Sequence, residues 1–309
     1  MTGQADANPM PVSKSATRTV PLPPSVEDFL KLPAPPRTPI LGDWLTVGSL
    51  TLISSESGVG KSMLGLAIAH SIASGRNFIG WQCDHARRVL YVEGELPRNM
   101  VQDRITALNG TYGAPPPDMW RVADLEGYHP MPNLSTIEGR QIIDDWIEEF
   151  KPDVIFIDSL ATLILLEGLD PNTEESWLPI QKWALEHRKA GRSVVFFHHT
   201  NKAGAQSGTK SKDRVMDTVI QLIQLGSKSA GKVTRIKWKP VKFRSAPFSP
   251  EFEVQYKTDT KNNAIWTRAM SFESIRAQSI ELKSRGHSIR QIMEILGVRK
   301  NQVEKALKA

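Results

Sequence analysis

Apolar and polar positions follow three different rhythms along this chain. Short, nearly unbroken apolar runs at 49–54, 88–92, 154–157 and 194–197 predict strands buried on both faces. Between them, apolar residues at helical spacing predict helices over 61–74, 98–108, 136–150 and 174–190; the third carries Ile142, Ile143, Trp146, Ile147 and Phe150 on one face. Strand–helix alternation of this kind predicts an α/β fold with a parallel sheet covered on both sides. The rhythm changes after residue 215. Strands over 215–225, 232–239, 252–256 and 264–267, joined by short turns, predict an antiparallel extension of the sheet. From 272 onward, helices are expected over 274–285, 289–296 and 301–308. There Ser288 is placed as a cap, and Ile280, Ile289, Ile292, Leu296, Val298, Val303 and Leu307 form the expected core.

Composition sharpens these boundaries. The chain has 309 residues, enough for about two domains. Residues 1–40 hold nine of the 21 prolines and little periodicity, so 1–39 is expected to be largely disordered apart from a helical turn over 26–32. The divisions expected are therefore 1–39, a core over 40–270, and a small helical domain over 271–309. The net charge of +6 is unevenly spread: 276–309 carries +5, 1–40 carries +1, and the remainder is neutral. A basic appendage on a neutral core suggests a polyanionic partner. Cys83 is the single cysteine, which excludes an internal disulfide or a cysteine zinc site. No apolar run reaches the ~20 residues of a membrane span and no secretion signal is apparent, so no membrane association and a cytoplasmic location are expected.

The chemistry concentrates where the strands end. After the first apolar strand comes Ser55-Glu56-Ser57-Gly58-Val59-Gly60-Lys61-Ser62, opening a helix at Met63. This is the order a phosphate-binding loop needs. N–H groups of Ser57 to Met63 converge on phosphate oxygens, Lys61 reaches the β- and γ-phosphates, and Ser62 holds Mg²⁺. Ser55 stands where the pattern G-x-x-x-x-G-K-[ST] has its first glycine. The strand at 154–157 ends in Asp158, placed to hold Mg²⁺ through water. The strand at 88–92 runs into Glu93-Gly94-Glu95, and either glutamate is a candidate base for the attacking water; Glu95 is preferred because Leu96-Pro97 starts the next helix. The last strand of the parallel set ends in His198-His199-Thr200-Asn201-Lys202. From Gly226 to Arg244 there are seven Lys/Arg and no acid, including Lys242-Phe243-Arg244.

Taken in order, these segments resemble the RecA-like ATPases, in particular the hexameric plasmid replicative helicases of the RepA family, over roughly residues 40–256. The resemblance implies a RecA-like P-loop NTPase core using ATP and Mg²⁺. It implies Glu95 as catalytic base, Asp158 as the second acidic motif, and His199 as γ-phosphate sensor where other members carry Gln. Lys242 and Arg244 would act across a subunit interface in a homo-oligomeric ring, usually a hexamer. Loops facing the channel would bind single-stranded DNA. The candidate loop spans 203–214, where Lys210, Lys212 and Arg214 are suited to phosphates.

The segment 286–298 resembles the helix-turn-helix of resolvase-type domains, which implies that the last helix enters the major groove of duplex DNA with Arg299, Lys300, Asn301, Gln302 and Lys305 facing it. The expected function is a DNA-dependent ATPase, a ring helicase of a plasmid or other mobile element with replication-initiation partners. The alternatives are an ATP-gated DNA-binding regulator and a recombination or repair ATPase without unwinding activity.

Overall fold

The computed structural model describes residues 22–34, 36–164, 173–200, 211–226, 233–244, 251–269, 272–296, 298 and 300–308. The chain divides into two units, 1–36 and 37–309. In the first, the expected helical turn is α1 (Val26–Lys31), capped by Ser25, whose hydroxyl accepts from the Asp28 N–H at 3.1 Å. The rest of the expected disordered segment, up to residue 21, lies outside the described residues.

In the second unit a small antiparallel hairpin, β1 (Pro39–Leu41) and β2 (Leu45–Thr46), precedes β3 (Leu50–Ser55). Then follow α2 (Lys61–Ser74), β4 (Val89–Glu93), α3 (Arg98–Tyr112), β5 (Trp120–Ala123), α4 (Ile137–Phe150), β6 (Val154–Asp158), α5 (Glu174–Lys189) and β7 (Ser193–His199). The chain continues through α6 (Ser211–Val215), β8 (Thr218–Gln224), β9 (Val233–Phe243), β10 (Phe252–Thr258) and β11 (Ala264–Ala269), and ends in α7 (Phe272–Ser284), α8 (Ile289–Leu296) and α9 (Lys300–Lys308). One nine-stranded sheet runs in the order β11-β10-β9-β8-β3-β7-β6-β4-β5. Strands β8, β3, β7, β6, β4 and β5 are parallel, and β9 to β11 extend them antiparallel, as the change of rhythm predicts.

The strand runs look continuously apolar because each feeds two cores. Ile53, Val89, Tyr91, Val154, Phe156, Val195 and Phe197 pack with α2 and α3 on one face. Leu52, Leu90, Val92, Ile155, Ile157, Val194 and Phe196 pack with α4 and α5 on the other. Successive side chains of a strand point to opposite faces, so both sets must be apolar when both faces are covered. Helix α2 is buried over most of its length and is apolar nearly all round. On its face of the sheet, Trp44, Trp81, Trp238 and Phe252 form an aromatic cluster that ties the hairpin to the extension, with the Trp81 and Trp238 rings 4.7 Å apart.

Several elements differ from expectation. The hairpin β1–β2 and the edge strand β5 are too short to show a period. Helix α6 occupies 211–215, so the strand expected from 215 starts at Thr218. In the C-terminal helices Ile292 and Val303 are buried as expected, but Ile280 is 46% exposed and Ile275, Ser279 and Ala306 fill the core instead. Ser288 and Gln291 cap α8 reciprocally: the Ser288 hydroxyl accepts the Gln291 N–H at 3.3 Å, and Gln291 Oε1 accepts the Ser288 N–H at 2.9 Å.

Candidate active site

Parallel register brings the chemical residues together. Ser55 at the end of β3 pairs with His199 at the end of β7, and Glu93 at the end of β4 pairs with Asp158 at the end of β6. All four strands thus deliver their last residues to one crevice at the carboxyl edge of the sheet, where α/β proteins bind ligands.

The loop after β3 turns through Gly58 (φ 75°) and Gly60 (φ 104°), in the left-handed region open to glycine. Gly60 is the N-cap of α2 and supplies no side chain, so the first N–H groups of that helix face the crevice uncapped by a side chain. Ser55, in the place of the usual first glycine, fits because it ends the strand: its side chain is buried and its hydroxyl donates to the Glu56 carbonyl at 2.9 Å. Lys61 is 4% exposed. Burial pushes its pKa down, and the carboxylates of Asp158, Glu95 and Glu93 pull it back up.

His199 links the two halves of the crevice. Its Nε2 lies 3.2 Å from Lys61 Nζ and 3.1 Å from Glu95 Oε2. One nitrogen cannot serve both: unprotonated it accepts from Lys61, protonated it donates to Glu95. The bond to His199 is the largest of the effects that hold the Glu95 carboxyl below the usual carboxylate range, with the Lys61 charge adding to it.

Asp158 is fully buried. The Tyr91 hydroxyl donates to its Oδ2 at 2.7 Å. Burial pushes its pKa up, opposed by Lys61, Tyr91 and the Ser62 hydroxyl. Its second oxygen, Oδ1, is buried with no hydrogen-bond partner among the described residues. An orphaned carboxylate oxygen and an uncapped helix N-terminus beside a lysine are the features a magnesium nucleotide needs, so Ser57 to Met63 and Asp158 fit that group.

The two glutamates separate clearly. Glu95 is partly exposed and faces His199. Glu93 is fully buried, its Oε1 accepts the N–H groups of Glu95 and Leu96 at 2.9 and 3.0 Å, and burial together with nearby Asp158 pushes its pKa up to about 8. Burial thus shifts the Glu93 carboxyl toward its protonated form and turns it away from solvent, whereas Glu95 is the exposed carboxylate of the two. The turn that Glu93 organises is the part of the site that sequence reasoning missed.

Lys242 and Arg244 do not join this cluster. Lys242 pairs in register with Val219 near the start of β8, at the amino edge of the parallel strands. Its ammonium donates to the carbonyls of Asp213 and Arg214, and Arg244 Nη2 donates to the Arg214 carbonyl at 2.6 Å. Of the expected loop cations, Lys212 is buried, Arg214 is exposed, and Lys210 lies outside the described residues, as does Arg299. On α9, Lys300 pairs with Glu304 at 3.6 Å and the Lys305 ammonium lies 5.4 Å from the centre of the Phe272 ring. Asn301 and Gln302 are exposed and border a cleft of about 710 Å³ with Arg235 and Arg268 of the extension.

These features define a phosphate-loop nucleotide-binding protein. The AAA_25 family model, described as an AAA domain, matches residues 16–205, more than half of the chain, and the chain belongs to that family. DNA repair protein RadA of Mycobacterium tuberculosis (strain ATCC 25618 / H37Rv) is 26% identical over 215 residues, covering 68% of this chain and 38% of RadA. RadA of Rickettsia prowazekii (strain Madrid E) is 28% identical over 200 residues, covering 63% and 39%. The chain therefore spans well under half the length of these relatives. Among solved structures, a KaiC-like protein from Pyrococcus horikoshii OT3 matches with a TM-score of 0.50 at 14% identity, over 72% of this chain and 90% of that one. The fold is that of the RecA-like P-loop NTPases, a largely parallel sheet with the antiparallel and helical additions described above. No helix among the described residues is long and apolar enough to cross a membrane.

Proposed function

We propose that this chain is a DNA-dependent ATPase that works as a homo-oligomeric ring, with nucleotide held between subunits. Lys61 and the N–H groups of Ser57 to Met63 would hold the phosphates, with Ser62 and Asp158 on Mg²⁺, which neutralises phosphate charge when bound. Glu95 accepts the proton of the attacking water; its carboxyl is ionised and is the exposed one. His199 reports the γ-phosphate, because a phosphate that takes Lys61 frees Nε2 for Glu95.

One observation carries the interface reading: Lys242 and Arg244 sit at the opposite edge of the sheet from Lys61, where they serve a neighbour's nucleotide rather than their own. Arg214, which is exposed, is suited to the backbone of a single strand, and Lys210 and Lys212 are its candidate companions. The last helices act as a helix-turn-helix on duplex DNA, with Asn301 and Gln302 at base edges and Arg299, Lys300 and Lys305 at phosphates.

Within this class a ring helicase of a mobile element is the leading reading. The similarity to DNA repair protein RadA supports a second, a recombination or repair ATPase that remodels DNA without unwinding it. Steady-state hydrolysis without DNA, with single strands and with duplex separates the readings. Strong stimulation by single strands together with strand separation supports the helicase. Stimulation without strand separation supports the repair ATPase. Slow turnover indifferent to single strands, with tight duplex binding, overturns both in favour of an ATP-gated regulator.

A further inference from the structure

Strand β4 stops at Glu93, and the chain then reverses within three residues. Two anchors hold this reversal. The Gly94 N–H donates to the Asp158 carbonyl at 2.6 Å, fixing the backbone to β6. The Glu93 side chain folds back under its own loop, where Oε1 accepts from the Glu95 and Leu96 N–H groups. The space beneath is closed: a Cβ at Gly94 would meet Leu163 Cδ2 at 2.8 Å and Thr162 Oγ1 at 3.0 Å. The loop therefore cannot settle downward if its acceptor is lost. The hydrogen bonds described for the Glu93 carboxyl both go to the amides of its own loop.

We propose that Glu93 is a positioning residue that aims Glu95: by accepting the N–H groups of Glu95 and Leu96 it fixes the loop so that the Glu95 carboxylate meets His199 and the attacking water. This rests on the ATPase reading above. Glu95 is partly exposed, and His199 and Ser159 hold only the tip of its side chain; without the clamp its backbone, anchored only through the Gly94 N–H, can turn the carboxylate out of line. Misplacing a catalytic group by about 1 Å costs on the order of 100-fold in rate.

The test compares Glu93→Gln with Glu93→Met in the full chain. Glutamine keeps an oxygen able to accept both N–H groups and matches the protonated acid in shape; methionine fills the same buried space and accepts nothing. The expected result is kcat near wild type for E93Q and about 10-fold to 100-fold lower for E93M, with the KM for ATP changed by less than about twofold in both. A residue that only stabilises the local turn would lower melting temperature in E93M without this split between kcat and KM. Hydrogen exchange at the Glu95 and Leu96 amides gives a readout that needs no hydrolysis: protection is kept in E93Q and lost in E93M. Wild-type kcat in E93M, or loss of kcat in both variants with the two amides still protected, overturns the proposal. If the wild-type chain hydrolyses no ATP, the ATPase reading fails, and equal amide protection in E93M and wild type then overturns the clamp as well.

Discussion

Lys61 and Glu93 illustrate what enclosure does to the titratable groups of the crevice. Both are almost fully enclosed, and each is shifted toward its neutral form by that enclosure. Replacing Lys61 by alanine removes the cation that lies beside the carboxylates of Asp158 and Glu95. Phosphate release by K61A is expected to fall about 100-fold or more, and wild-type turnover in that variant would remove the phosphate-loop assignment. For Glu93 the consequence is thermodynamic. Its folded pKa of about 8 lies above its ordinary value of 4.5, so the folded state holds a proton that the unfolded chain releases. The contribution is fully present below pH 4.5 and is lost as pH rises through about 8. Urea titrations without nucleotide should therefore show E93Q gaining on wild type between those limits, by at most about 1.4 kcal/mol per pH unit; a flat difference would contradict the buried, protonated state. His70 and His187, both depressed by burial, act in the opposite direction as pH falls below their ordinary value, and they cancel in this comparison because both chains carry them.

At this scale Lys61, Ser62, Glu95, Asp158 and His199 were legible because each stands just beyond a recognisable apolar strand, and parallel register does the rest. The clamp by Glu93 was not legible, since it depends on how a three-residue reversal folds back, which no period reports. The burial of Lys212 was hidden for a similar reason: its short helix α6 carries no pattern that distinguishes it from the start of a strand.

Among the elements, α2 lies against the sheet with no room for a side chain at Gly65. A Cβ at Gly65 would meet Phe197 Cζ at 2.6 Å and the Tyr91 hydroxyl oxygen at 2.8 Å. Both neighbours are buried, and Tyr91 is the donor to Asp158, so neither can move freely. Gly65→Val is expected to destabilise by about 1–3 kcal/mol, measured by chemical denaturation, and to lower hydrolysis by disturbing Asp158; a stable, fully active variant would mean that α2 can shift off the sheet. The long helices and the central strands were readable from their periods because a packed face imposes them. The edge strand β5 and the hairpin β1–β2 carry too few residues for any period, and their places come from pairing and from the tryptophan cluster.

For the whole molecule, Arg244→Ala should remove hydrolysis while leaving ATP binding in place. Mixing it with Glu95→Ala subunits should restore a fraction of activity if the two groups meet across an interface, and no recovery at any ratio would place both groups in one subunit's site. Replacing Asn301 and Gln302 together by alanine should weaken duplex binding by about 1–3 kcal/mol for each base edge no longer read, with little change in its salt dependence. Equal affinity at matched salt would assign the last helices to another role.

The separation of Lys61 from Arg244 has a further consequence. If each chain carries half of two different sites, one at either edge of its sheet, then a chain alone in solution possesses no complete site. Turnover per chain should then depend on concentration, falling away on dilution and rising to a plateau as neighbours close upon one another. Two chains in an open pair would complete one site between them, whereas a closed circle would complete one for every member. The enzyme would thus be switched on by the act of assembling, and anything that gathers the chains, a strand of DNA above all, would be an activator without touching the nucleotide.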